Sequence, residues 1–155
     1  MNLFDSSIST LNVKDVALSG MTDELFCRYI STVYCENDKS ILIVTASLFE
    51  ANQLHDSLLN YQDNVLLFPM DDFLTSEAIA TSPDLMVNRL ETLNTLLNKE
   101  KQIIVTNLMG YLRFLPTPDV YKNSIFTVKI GQDYDLSKFA NHLNNIGYKI
   151  GRAHV

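Results

Sequence analysis

The feature that most constrains the fold is the unbroken apolar run Ile41, Leu42, Ile43 and Val44, set between Ser40 and Thr45. A strand with no polar alternation is predicted to be covered on both faces. The chain then passes at once into Ser47-Leu48-Phe49-Glu50. This is a capping box, in which the Ser47 hydroxyl and the Glu50 carboxylate satisfy each other's free N–H groups at a helix start. The helix it opens carries Ala51, Leu54, Leu58 and Tyr61 at helical spacing, with Asp56 outside. A covered strand feeding directly into a helix is the unit of a parallel sheet, because parallel neighbours need a crossover.

The same unit recurs downstream. Val65 to Phe68 is a second strand, and Ser82-Pro83 reads as an N-cap followed by proline at the first helical position. The stripe Met86, Leu90, Leu93 and Leu97 predicts a helix ending near Lys99, with the stripe facing the core. Gln102 to Thr106 is a further strand, and Leu108 to Phe114 a short helix. Alternation of this kind predicts an α/β fold, a Rossmann- or RecA-like parallel sheet with right-handed crossovers and helices on both faces. The segment from Pro69 to Thr81 is long for an α/β connection, and reads either as a functional loop or as a surface excursion.

Ahead of these units, Val16 to Leu18 reads as a short strand that meets a turn at Gly20, with a helix starting near Thr22. A phosphate loop would occupy this place. It requires G-x-x-x-x-G-K-[ST], with backbone N–H groups around the phosphates, a lysine for their charge and a hydroxyl for Mg²⁺. Gly20 stands at the first glycine, but the second glycine and the lysine are missing, and Asp23 and Glu24 follow Thr22. A helix N-terminus attracts anions, so carboxylates already there oppose a triphosphate. Gly20, Thr22, Asp23 and Glu24 are therefore expected to form a degenerate nucleotide loop that binds no cofactor. Any strand–turn–helix shares this outline, and both readings stand on these residues alone.

Charge divides the chain. Residues 1–116 hold 7 Lys+Arg against 15 Asp+Glu, and residues 117–155 hold 5 against 3. The first part is thus a poor surface for DNA phosphates. The change of sign falls at Leu115-Pro116-Thr117-Pro118, which reads as a linker, because two prolines one residue apart do not fit inside a helix or central strand. The predicted domains are 1–116 and 117–155. In the second, Ser124 to Ile130 alternates as a half-exposed strand. Asp135 caps a helix carrying Leu136, Phe139, Ala140, Leu143 and Ile146, Gly147 ends it, and Tyr148 to Val155 reads as another strand. One helix and so little sheet cannot close a core, so this part is expected to be the start of a small α+β domain within a larger protein.

Other chemistry is sparse. The two cysteines, Cys27 and Cys35, lack a zinc or redox spacing and read as reduced thiols of a cytoplasmic protein. His55, His142 and His154 read as surface or boundary residues. No stretch approaches the ~20 apolar residues of a membrane span, and the first residues lack the pattern of a secretion signal.

The order of these pieces resembles the bacterial transcription-repair coupling factors (Mfd). The residues that carry the likeness are Ile41 to Thr45 with the capping-box helix, then Leu67-Phe68-Pro69-Met70-Asp71-Asp72. Ser82-Pro83-Asp84-Leu85-Met86 with Arg89-Leu90-Glu91-Thr92-Leu93-Asn94 follow, then Ile104-Val105-Thr106 and Leu115-Pro116. Val128 to Gly131 through Ile146 to Tyr148 match the family's next unit. The resemblance implies a module similar to the damage-recognition protein UvrB, with a degenerate phosphate loop and no ATP hydrolysis of its own. It implies recruitment of UvrA to a stalled RNA polymerase in nucleotide excision repair. The family's polymerase-binding domain and its ATP- and Mg²⁺-dependent DNA translocase are other domains, so contact with polymerase and DNA is expected there. The family's second unit runs on into G-E-[FY]-x-x-R-G, whose arginine helps contact UvrA and has no counterpart in these residues.

Two functions follow from these readings. One is a non-catalytic interaction module for UvrA. Its partner surface is expected on residues 119–155, where Lys129, Lys149 and Arg152 form a basic group, though each alone also reads as a solvated cation. The alternative is a small enzyme domain binding a nucleotide or sugar-nucleotide at the carboxyl ends of the strands. Ser19, Thr45, Ser47, Asp71, Asp72, Thr106 and Asn107 are placed there. Asp71-Asp72 could hold Mg²⁺, but adjacent side chains point apart, and no metal site or catalytic set is assigned.

Overall fold

The structure, a computed structural model, describes residues 17–72, 82–98 and 100–145. The chain divides into two compact units, Met1–Phe114 and Leu115–Val155.

In the first unit the elements are α1 (Asp23–Glu36), β1 (Ile41–Thr45), α2 (Leu48–Leu59), β2 (Val65–Phe68), α3 (Pro83–Leu97), β3 (Ile103–Asn107) and α4 (Leu108–Tyr111). The sheet is parallel with the order β1-β3-β2, and Ile41 and Val65 both stand opposite Ile103. The chain steps over the β3 position through α2 and returns through α3. Right-handed crossovers that travel in opposite directions leave their helices on opposite faces. The α/β class, the parallel strands and the two-faced cover agree with the sequence.

One face holds the core. Cys27, Ile30 and Tyr34 of α1 and Ala51 and Leu58 of α2 pack on Val65, Leu67, Ile103 and Val105, with Ile41 and Ile43 beside them. These strand residues alternate, as side chains sharing a sheet face must. The Tyr34 hydroxyl donates to the Lys101 carbonyl at 2.7 Å, and the Lys101 ammonium lies 4.1 Å from the Tyr34 ring centre and donates to the Tyr34 carbonyl. That pairing fastens the end of α1 to the chain entering β3.

Several expectations are corrected. β1 is not covered on both faces: Leu42 is 53% exposed and Val44 40%. Among the described residues it lies at the sheet edge, and the helix on that side packs on β2. Ala17 and Leu18 are exposed and in no strand, while Val16 lies outside the described residues. Helix α3 is rotated by about one position from the predicted stripe. Met86 and Leu90 are exposed, at 49% and 43%, and Thr92 is buried. Thr92 and Arg89 meet the sheet, because the Thr92 hydroxyl donates to the Leu67 carbonyl at 2.7 Å and the Arg89 guanidinium to the Pro69 carbonyl at 3.0 Å, while Leu93 and Leu97 of the predicted stripe are half-buried. Helix α4 stops at Tyr111 rather than Phe114. The predicted loop is described only over 69–72.

In the second unit, α5 (Pro118–Ser124) and α6 (Leu136–Asn145) are the described elements. Pro118 opens α5 at a position where proline's missing N–H costs nothing, so the two prolines mark a helix start as well as a connection. The predicted strand from Ser124 to Ile130 is absent. Ser124 closes α5, and the Lys129 N–H bonds to the Tyr134 hydroxyl at 2.9 Å instead of to a neighbouring strand. The α+β expectation therefore finds no strand among the described residues of this unit. Asp135 does cap α6, accepting from the Ser137 and Lys138 N–H groups at 2.9 and 3.2 Å. Gly147 and the strand from Tyr148 to Val155 lie outside the described residues.

Candidate functional site at the carboxyl ends of the strands

The crevice beyond the carboxyl ends of parallel strands is where an α/β sheet places ligands. Here Asn107 ends β3 and is fully buried. Its Oδ1 accepts from the Met70 N–H at 3.1 Å and the Gly110 N–H at 3.3 Å. Its Nδ2 donates to the Met70 carbonyl and to Asp72 Oδ1, each at 2.7 Å. One amide thus caps α4, mimics a strand partner for Met70 and holds a carboxylate.

That carboxylate sits at the start of α2. Both Asp72 oxygens lie 2.9 Å from the Leu48 N–H. The Ser47 hydroxyl accepts from the Glu50 N–H at 3.2 Å, and the Glu50 carboxylate from the Ala46 N–H at 3.1 Å. The capping box is therefore present, with Glu50 reaching one residue beyond the cap. Free N–H groups and the positive end of the helix dipole make such a terminus an anion site. In this chain the anions at that terminus are its own Asp72 and Glu50.

The remaining strand-end residues serve the same lattice. The Thr45 hydroxyl donates to the Ser47 carbonyl at 2.8 Å and the Thr106 hydroxyl to the Phe68 carbonyl at 2.7 Å. Arg89 holds Pro69 from the α3 side. Burial lowers its pKa, Arg113 lowers it further, and Asp71 acts the other way. Asp71 and Asp72 thus act on different elements, one on the Arg89 cation and one on α2. Among the described residues no group of three His, Cys, Asp or Glu is placed to hold a metal ion.

Of the predicted site residues, Thr45, Ser47, Asp72, Thr106 and Asn107 come together, while Ser19 stays exposed by Gly20. Gly20 adopts a φ of 80°. Thr22 caps α1, accepting from the Leu25 N–H at 3.3 Å, and Asp23 and Glu24 are exposed in its first turn. Asp23 also lines a groove of about 390 Å³ beside β1, together with Phe26, Ile43, Glu50 and Leu54. Lys129 is exposed in the second unit, and Lys149 and Arg152 lie outside the described residues. His55 pairs with Asp56 at 3.1 Å and His142 packs 5.1 Å from the Phe126 ring, while His154 is outside the described residues. Sequence reasoning missed Gly110. A Cβ there would overlap the Thr106 hydroxyl and stand 3.0 Å from the Phe68 carbonyl. Glycine three residues after an asparagine cap was the available signal.

No family model matches the chain, and no solved structure matches it significantly. Curated proteins do. It is 31% identical over 150 residues to a transcription-repair-coupling factor of Staphylococcus epidermidis, covering 96% of this chain and 13% of that protein. The Bacillus subtilis protein of the same name is 30% identical over 150 residues, covering 94% and 13%. That of Staphylococcus haemolyticus is 29% identical over 138 residues, covering 88% and 12%. The chain spans only 13% of the length of the first of these relatives. Across nearly all of its residues, then, this chain belongs to the transcription-repair-coupling factor family and corresponds to one segment of such a protein.

Proposed function

We propose that this segment is a non-catalytic interaction module that helps bring UvrA to sites of transcription-coupled nucleotide excision repair. The observation that carries the non-catalytic part is the filled start of α2. Asp72 and Glu50 occupy N–H groups that would face a phosphate, and Asn107 locks Asp72 in place. An incoming phosphate has to displace an internal anion tied at both ends, and Asp23 lines the groove beside Glu50. The degenerate loop, with Gly20 and Thr22 kept but no lysine, supports the same reading. Family membership supports the repair role, and the activities of a whole coupling factor with ATP, RNA polymerase and DNA belong to other segments. The partner surface is the basic group on residues 119–155, with Lys129 exposed and Lys149 and Arg152 beyond it in sequence.

The test is titration of the purified chain into UvrA, alongside ATP turnover by the chain alone. Binding that weakens with ionic strength and with Lys129→Glu is expected, because charge steering is screened by salt. ATP turnover is expected at background. Turnover abolished by changing residues 20–25 would favour the nucleotide enzyme instead. Absence of UvrA binding at low salt would remove the partner assignment.

A further inference from the structure

We draw no further inference here: the strongest candidate, the exposed apolar surface patch of Tyr111, Leu112 and Phe114 at the end of α4, carries none, because nothing in the structure shows what covers it.

Discussion

Asn107 uses both its donor and its acceptor side on four groups, so its loss is not repaired by any single neighbour. Asn107→Ala leaves the half-buried Met70 N–H and the buried Gly110 N–H without their acceptor and frees Asp72. At roughly 1–3 kcal/mol for each buried group left unpaired, the expected cost is about 3 kcal/mol in denaturant unfolding. Gly110→Ala should cost about 1–3 kcal/mol by overpacking against Thr106 and the Phe68 carbonyl. Cys27 offers a test with pH. Burial, aided by the Asp23 carboxylate, pushes its thiol above the ordinary value. The folded chain therefore holds that proton more tightly than the unfolded chain. The resulting stability is complete below the pH at which the unfolded thiol titrates, and is lost as pH rises through the folded value. Unfolding midpoints measured from neutral to alkaline pH should fall more steeply for the native chain than for Cys27→Ala. Exposed Cys35 should alkylate in the folded state, and Cys27 only on unfolding.

At the scale of elements, α3 shows how two apolar rows compete for one sheet. Met86, Leu90, Leu93 and Leu97 form the more apolar row, yet the row containing Thr92 and Arg89 faces inward. Hydrogen bonds to the Leu67 and Pro69 carbonyls decide the rotation, and periodicity of apolar residues carries no trace of them. Leu90→Ala should accordingly cost under about 1 kcal/mol, as exposed positions do. Leu58→Ala, at a fully buried position of α2, should cost about 2–5 kcal/mol. Parallel thermal melts of the two variants would read the difference directly. The helix starts were legible because caps are local: Thr22, Ser47 and Asp135 each hold the N–H groups that their spacing implies. The strand expected over Ser124 to Ile130 failed because alternation marks a candidate for pairing and does not supply the partner.

For the molecule as a whole, net charge and its distribution set the expected behaviour. Like charge opposes the approach of phosphates to the acidic first part, so micromolar chain should leave duplex DNA unretarded in a gel at physiological salt. Retardation would point to direct DNA contact by this segment. No helix among the described residues is long and apolar enough to cross a membrane. The two units invite separate unfolding measurements, since each has its own contacts and only the first contains a sheet among the described residues.

The sequence by itself determined the α/β class, the three strands, the capped helix starts and the family, since apolar runs, caps and ordered motifs are local or linear signals. It also named most of the strand-end residues. Tertiary structure alone decided that β3 lies between β1 and β2, so that β1 is an edge strand among the described residues. It alone decided which row of α3 meets the sheet, and that Asp72 closes the start of α2 through Asn107, which stands 35 positions away in the chain. Such contacts join residues distant in sequence, and they form only when the crossovers bring the carboxyl ends of the strands together.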